Sequence, residues 1–275
     1  MSTEISVLMS VFRADLPDQL DRALHSIWTD QIRQPGEVVL VVDGPIPVSL
    51  RTVVDVWHDR LGERLQVVEL ETNVGLGGAL NAGLQKCRGK WVARMDADDV
   101  AFPERFERQL AYLEAHPDVD VLGTGAVEID EQGVEGAVRG RSCDHNSIVR
   151  SLWASPFIHP SVMFCREKVM ELGGYDASLR RRQDYDLWFR AAEHGLVFAN
   201  LPEPLLWYRF HQATHQKQSP RRAWEQAVVG FRGCRRVGLG WWKGLACFIP
   251  FFRSLLPRWV QHWLYRLLQP MDPRR

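Results

Sequence analysis

The first hundred residues alternate between short apolar runs and segments with helical periodicity, and this alternation limits the possible folds most strongly. The first run, residues 5–11, is typical of a strand buried on both faces. Similar runs cover residues 38–42, 65–70 and 91–95. Strands that alternate with helices form parallel βαβ units. The sequence therefore predicts an α/β fold with a doubly wound, mostly parallel sheet.

Polar side chains follow three of these predicted strands. Asp43 ends the second strand, Asn73 follows the third, and Asp96 to Asp99 close the fourth. Ligands of open parallel sheets bind beyond the carboxyl ends of the strands. We therefore expect the three polar segments to converge on one edge of the sheet and to form a binding site there.

Three carboxylates, those of Asp96, Asp98 and Asp99, lie within four residues. Carboxylates this close repel one another unless a cation neutralises them, and hard oxygen ligands suit Mg²⁺ or Mn²⁺. The alternative interpretation is a solvated acidic turn that caps the helix near Pro103. The buried strand before the triplet and the neighbouring polar segments favour the cation site.

Charge divides the chain into two parts, although the formal net charge is zero. Residues 1–216 carry 22 Lys and Arg against 32 Asp and Glu, whereas residues 217–275 carry 12 against 2. A polar stretch, Gln212 to Arg222, separates them. We expect one folded domain over 1–216, followed by a basic, Trp-rich helical tail over 217–275.

The end of the tail predicts an amphipathic helix from Pro257 onward. Val260, Trp263, Leu264 and Leu267 share one face, and basic and polar residues lie opposite. Such a helix lies in a membrane interface. The alternatives are a helix docked on residues 1–216 or on a dimer partner. No nucleic-acid recognition motif accompanies the basic residues, so no nucleic-acid partner is expected.

Cellular location is predicted from two simpler features. The five cysteines are scattered and form no CxxC pair, which is typical of reduced thiols in a cytosolic protein. Neither a signal sequence nor an apolar run of about 18 residues is present. We expect a cytoplasmic protein that is peripheral on the inner face of the cell membrane.

An ordered set of motifs resembles glycosyltransferase family 2 over residues 5–211. The motifs are Asn73 to Leu76, Ala79 to Gly83, Arg94 to Asp99 with Pro103 and Arg105, His159-Pro160, Gly173-Gly174-Tyr175, and Asp184 to Trp188. The resemblance implies that residues 1–216 are a catalytic domain with a GT-A fold. Residues 1–100 would form its Rossmann-like nucleotide-binding half and residues 101–216 its acceptor-binding half. It also implies metal-dependent, inverting transfer of a sugar from a nucleotide diphosphate to an acceptor hydroxyl.

The resemblance also implies roles for individual residues on the donor side. Asp96 would contact the ribose, and Asp98, with Asp99, would hold the metal on the diphosphate. Phe12 would stack on the base, and Asp43 would accept the ring N–H of uracil, which favours UDP although the family usually has a second carboxylate before Gly44. The nucleotide-sugar site would comprise Ser10, Val11, Phe12, Asp43, Asn73, Gly75, Asn81, Arg94 and Asp96.

The resemblance makes Asp184 the catalytic base, with Asp186 in reserve. A carboxylate in the first turn of a helix is kept ionised by the helix dipole, although a simple helix cap is the alternative interpretation. Gln183 stands where the family often has glutamate. The residues expected near the acceptor or the diphosphate are His159, Arg182 and His211.

Other functions have less support in the sequence. Gly75-Leu76-Gly77-Gly78 departs from the GxGxxG dinucleotide motif because Leu80 replaces the last glycine. Processive family members carry Gln-x-x-Arg-Trp, which is absent, so we expect addition of a single sugar to a polysaccharide or glycolipid. The alternatives are a sugar nucleotidyltransferase and a membrane-binding module whose catalytic site has decayed.

Overall fold

One mixed sheet organises the computed structural model, which describes residues 4–140, 142–210 and 219–256. Within these ranges the strands lie in the order β3, β2, β1, β4, β8, β6, β9 and β5, and β7 pairs with β6. The strands are β1 Ile5–Val11, β2 Glu37–Asp43, β3 Leu65–Leu70, β4 Trp91–Met95, β5 Val100–Ala101, β6 Val121–Ile129, β7 Glu135–Arg139, β8 Met163–Cys165 and β9 Phe198–Arg209.

Helices cover both faces of this sheet. They are α1 Pro17–Trp28, α2 Val48–Leu61, α3 Leu76–Leu84, α4 Arg105–Ala115, α5 His145–Ser151, α6 Arg166–Glu171, α7 Gln183–Glu193, α8 Pro220–Arg236, α9 Trp241–Ala246 and α10 Ile249–Ser254. One apolar core lies between the sheet and α1, α2 and α4. The second lies between the sheet and α3, α7 and α8.

The first four strands confirm the predicted parallel half. β1 pairs in parallel with both β2 and β4, and β2 pairs in parallel with β3. Every residue of β2 and β4 is buried. Close packing of α3 on this half requires glycine, since a Cβ on Gly83 would lie 2.5 Å from Leu8 Cδ1. The carboxyl ends of β1, β2 and β4 therefore share one edge, as the strand pattern predicts.

The rest of the sheet is mixed rather than parallel. β8 runs antiparallel to both β4 and β6, and β5 runs antiparallel to β9. β9 is parallel to β6, with register shifts near Pro204. Sequence pattern does not predict β9, because Pro202 and Pro204 each remove a backbone donor and interrupt the strand pattern. This twelve-residue strand returns the chain to the edge where β4 ends.

The described part of the tail packs on the domain that precedes it. α8 lies against α7 at glycines: a Cβ on Gly233 would lie 2.2 Å from the Phe189 ring. The predicted amphipathic helix from Pro257 lies outside the described residues. Within residues 4–140, 142–210 and 219–256, no helix combines the length and the apolar character needed to span a bilayer.

Candidate active site

A carboxylate turn, Asp96 to Asp99, connects β4 to β5 and forms the centre of the candidate site. One oxygen from each of Asp96, Asp98 and Asp99 lies within 4.8 Å of the others. The Asp99 side chain is 1% exposed, whereas Asp96 and Asp98 are half-buried. The structure thus brings together the three carboxylates that the sequence pattern predicts to act together.

Two arginines hold this turn. The buried Arg94 guanidinium forms an ion pair with Asp96. The backbone N–H of Arg209 donates to Asp99 Oδ1 at 2.7 Å, and its Nε donates to the Asp98 carbonyl at 2.8 Å. Arg209 also donates from Nη1 to the Asp130 carbonyl at 2.6 Å. The end of β9 therefore fixes the turn against the loop that follows β6.

A third arginine lies beneath the turn. Arg105 is fully buried and donates from Nη2 to the Arg94 carbonyl at 2.7 Å. Burial lowers the pKa of Arg105 to about 9, because desolvation disfavours its charged form. Its hydrogen bond fixes the backbone of β4 directly before the carboxylates.

The electrostatics of the turn favour a bound cation. Burial raises the pKa of Asp99 well above its ordinary value, and the charges of Asp96 and Asp98 raise it further. Burial also raises the pKa of Asp96, which Arg94 opposes. Asp99 Oδ2 is buried and accepts no hydrogen bond among the described residues. A divalent ion would offset this repulsion and give that oxygen a partner.

The two acidic residues of α7 lie in different environments. Asp184 is half-buried and close enough to the carboxylate turn to raise the pKa of Asp96. Asp186 accepts from Arg190 Nε at 2.7 Å and lies 3.6 Å from Arg236 Nη1. Residues two positions apart in an α-helix, such as Asp184 and Asp186, are separated by about 200° around the helix axis. Only Asp184 therefore faces the candidate site.

A buried cluster around Tyr175 connects the two halves of the domain. Asn81 donates from Nδ2 to the Tyr175 carbonyl at 2.7 Å and accepts from the Tyr175 N–H at 2.8 Å. His159 Nε2 lies 3.0 Å from the Tyr175 hydroxyl. Burial lowers the pKa of His159 well below its ordinary value, so the ring is neutral. Asn81 and His159 were expected to contact ligands, and in this structure both contact Tyr175.

The turn after β2 and the loop after β3 meet through Asp43. Its Oδ1 accepts from Val74 N at 2.7 Å, and its Oδ2 accepts from Asn73 Nδ2 at 2.8 Å and Gly75 N at 3.1 Å. Gly44 adopts φ +81°, and a Cβ there would lie 2.6 Å from Asn73 N. The predicted base-recognition residue thus also fixes the loop that begins α3.

Residues at the end of β1 form the remaining side of the site. Val11 is buried, Ser10 is half-buried, and the Phe12 ring is 41% exposed. Asp15, which the sequence analysis missed, accepts from Phe12 N at 2.8 Å. Burial, together with the charges of Asp98 and Asp96, raises the pKa of Asp15 to about 7. Asp15 is thus part of the electrostatics of the carboxylate turn.

Two of the predicted site residues, Arg182 and His211, have no described contact with the carboxylate turn. Arg182 adopts a left-handed conformation, φ 64°, directly before α7, and its side chain is exposed. His211 lies outside the described residues. Arg209, which contacts the carboxylate turn, was not among the predicted residues. Arg209 reaches the turn only because it ends β9, a strand that was not predicted. No local sequence signal therefore identifies it.

Comparison with known proteins agrees with this geometry. The family model described as Glycosyl transferase family 2 matches residues 6–186, which include the strand ends, the carboxylate turn and the start of α7. The chain belongs to glycosyltransferase family 2. It is therefore a glycosyltransferase, as the ordered motifs imply.

Two relatives of this family 2 chain are similar over most of their length. The amylovoran biosynthesis glycosyltransferase AmsE of Erwinia amylovora is 40% identical over 80% of this chain and 80% of its own. An Escherichia coli protein is 33% identical over 78% of this chain and 77% of its own. Its name is UDP-Gal:alpha-D-GlcNAc-diphosphoundecaprenol beta-1,3-galactosyltransferase.

A solved structure agrees with the fold. The mannosyltransferase PcManGT from Pyrobaculum calidifontis, in complex with GDP-Man and Mn²⁺, superposes with a TM-score of 0.67 at 18% identity. The match covers 100% of this chain and 83% of that protein. The family 2 chain thus has the predicted GT-A fold.

Proposed function

We propose that this glycosyltransferase moves one sugar from a UDP-sugar to an acceptor hydroxyl, with inversion at the anomeric carbon. The observation that carries the proposal is the meeting of three carboxylates within 4.8 Å at the end of β4. Asp184 lies within electrostatic range of the same turn. A site for a charged diphosphate therefore adjoins a carboxylate that is suited to accept a proton.

On the donor side, Ser10, Val11 and the partly exposed Phe12 ring surround the base. Asp43 accepts the uracil N–H. A carboxylate has about four acceptor positions, and the loop after β3 occupies three of those on Asp43. Arg94 holds Asp96 against the ribose, and Asn73, Gly75 and Asn81 shape the pocket.

The choice of UDP depends on the comparisons. The name of the E. coli relative specifies UDP-Gal, whereas the archaeal structure contains GDP-Man. The first protein is 33% identical to this chain and the second is 18% identical. The higher identity supports UDP.

A divalent cation, Mn²⁺ or Mg²⁺, is the proposed cofactor, and Asp98 and Asp99 hold it. The residues fit such an ion because all donors are hard oxygens and Asp99 Oδ2 is buried without a described partner. When bound, the ion offsets the charge that develops on the departing nucleoside diphosphate. Arg209 and Arg94 keep the carboxylates in position.

Asp184 is the proposed base. As the acceptor oxygen bonds to the anomeric carbon and the bond to the diphosphate breaks, the acceptor's proton passes to the Asp184 carboxylate. Asp186 is unsuited to this role, because its ion pairs with Arg190 and Arg236 hold it elsewhere. Arg182 and His211 are proposed contacts of the acceptor or diphosphate, and His159 orients Tyr175.

The acceptor is proposed to be a lipid-linked sugar at the cytoplasmic face of the membrane. The E. coli relative is named for transfer to a diphosphoundecaprenol-linked sugar, and AmsE is named for biosynthesis of a polysaccharide. Residues 1–216 form the catalytic unit in this proposal. Residues 217–275 supply the membrane contact.

The test is a panel of UDP-sugars and GDP-mannose incubated with the full chain and a lipid-linked acceptor, with Mn²⁺ or with EDTA. We expect Mn²⁺-dependent release of UDP, and NMR of the product should show inverted anomeric configuration. Nucleotide binding that is absent or unaffected by metal would contradict the proposal. Release of inorganic pyrophosphate instead of UDP would indicate a nucleotidyltransferase.

A further inference from the structure

Exposed apolar side chains are concentrated in the described part of the tail. Residues 4–140, 142–210 and 219–256 contain five exposed Phe and Trp side chains, and four of these lie in the tail. Six tail residues form what we call the aromatic face: Trp241 (77% exposed), Trp242 (55%), Leu245 (52%), Ile249 (54%), Phe252 (62%) and Leu255 (58%). Exposed apolar clusters of this kind mark interaction surfaces.

The aromatic face is not needed for packing within the tail. Gly244 and Cys247 are buried, and Gly244 packs on Phe231 of α8. The rings of Phe248 and Phe251 lie 5.2 and 5.1 Å from that of Trp224. α8 thus already has its partners from α9 and α10, while the six side chains of the aromatic face stay more than half exposed.

Charge indicates which partner this surface fits. Residues 219–256 carry seven Lys and Arg but a single acidic residue, Glu225. Two copies of such a surface would repel each other across a symmetric interface. An anionic bilayer attracts the basic residues, and tryptophan and phenylalanine side chains are suited to its headgroup region.

We propose that the aromatic face rests in the headgroup region of a bilayer that contains anionic lipid. This deepens the membrane contact suggested above, and places it on α9 and α10 rather than only on the segment after Pro257. Aromatic and aliphatic side chains enter the interface, while Lys243 and the exposed Arg232 and Arg235 of α8 contact lipid phosphates.

The position of the surface suits the proposed acceptor. The Trp242 ring lies 6.5 Å from the Trp153 ring, and the Trp153 carbonyl accepts from the Tyr185 hydroxyl at 2.7 Å. Tyr185 follows the proposed base Asp184 in α7. Docking through the aromatic face therefore holds the start of α7 close to the bilayer, where a lipid-linked hydroxyl would be presented.

The experiment measures binding of the full chain to sedimented vesicles, either neutral phosphatidylcholine or the same lipid with phosphatidylglycerol. The variant is Trp241→Ser/Ile249→Ser/Phe252→Ser. The matched control is Ile32→Ser/Val48→Ser/Val56→Ser, whose side chains are 61%, 82% and 57% exposed. Because all six side chains are exposed, both variants should keep the wild-type melting temperature.

We expect wild type and control to bind anionic vesicles better than neutral ones. The partition coefficient of the tail variant should be at least about tenfold lower, because each apolar side chain that enters the interface adds to binding. Equal partition of wild type and tail variant would overturn the inference, as would absence of wild-type binding. If the wild type is a dimer that does not bind vesicles, and the tail variant is a monomer, the surface is instead an interface with a second copy. UDP binding with Mn²⁺, measured on the same samples, tests the transferase proposal separately.

Discussion

Two acidic segments meet in the candidate site, and the protein holds them in different ways. The carboxylate turn is fixed by Arg94, Arg105 and Arg209 and gathers three like charges in a largely buried place. In the first turn of α7, by contrast, Asp186 is neutralised by arginines. Among the described residues, none forms an ion pair with Asp184. In the proposed function, the first segment holds a cation, and the second leaves the Asp184 carboxylate to accept a proton.

The largest expected effect tests the carboxylate turn. Asp98→Asn removes a charged ligand, and we expect kcat to fall by at least about a thousandfold because the stabilisation of the leaving diphosphate is lost. Calorimetry should show that Mn²⁺-dependent UDP binding is also lost. Asp59→Asn, on the exposed side of α2, is the control. If Asp98→Asn still binds UDP only in the presence of Mn²⁺, the turn is not the metal site.

The second prediction separates the two residues of α7. Asp184→Asn should lower kcat by about 10²- to 10³-fold, because the general base is lost, and should leave affinity for UDP and Mn²⁺ within about twofold. Asp186→Asn, the matched control, should keep near-normal kcat and lose a few degrees of melting temperature, as its ion pairs break. The reverse pattern in steady-state kinetics would move the base to Asp186.

The third prediction concerns what holds the turn. Arg209→Lys keeps the positive charge but loses the paired hydrogen bonds to the Asp98 and Asp130 carbonyls. We expect affinity for Mn²⁺ to weaken by about 10- to 100-fold, as is usual when partners of metal ligands are removed. Arg108→Lys, in the exposed pair with Glu203, should leave Mn²⁺ titrations unchanged. Equal affinity in both variants would make Arg209 a purely structural residue.

The smallest effect is a pH dependence. The pKa of Asp15 is raised to about 7 by burial and by Asp98 and Asp96, so this carboxyl is protonated below pH 7. A cation at the turn disfavours that proton, and proton and metal therefore compete. Affinity for Mn²⁺ should fall by up to about tenfold from pH 8 to pH 6, and Asp15→Asn should reduce this slope. A slope unchanged in Asp15→Asn would mean that other carboxylates release the proton.

The same two segments show how far the sequence predicts this molecule. The parallel half and the carboxylate turn follow from local patterns, because each strand is a continuous apolar run and the acidic residues are adjacent. The start of α7 was also predicted, since Asp184 begins a segment with helical periodicity. What local patterns show here is which groups are present at the site.

The parts that were missed depend on contacts between distant residues. β9 contains two prolines, so its strand pattern is weak, and Arg209 acquires a role only when β9 pairs with β6. The partners of Asn81 and His159 are likewise set by the approach of Tyr175 to α3. Asp15 owes its raised pKa to burial and to residues more than eighty positions away. Spacing along the chain carries no signal for any of these.

The bond from Arg209 to Asp99 spans 110 residues of chain. Contacts of such long separation form late, because the intervening chain must first be ordered. During synthesis, the carboxylate turn leaves the ribosome well before Arg209 does. A nascent chain that ends before β9 therefore lacks the Arg209 contacts that hold the acidic residues in place. On the proposed function, affinity for metal would arise only after nearly all of residues 1–216 have been made.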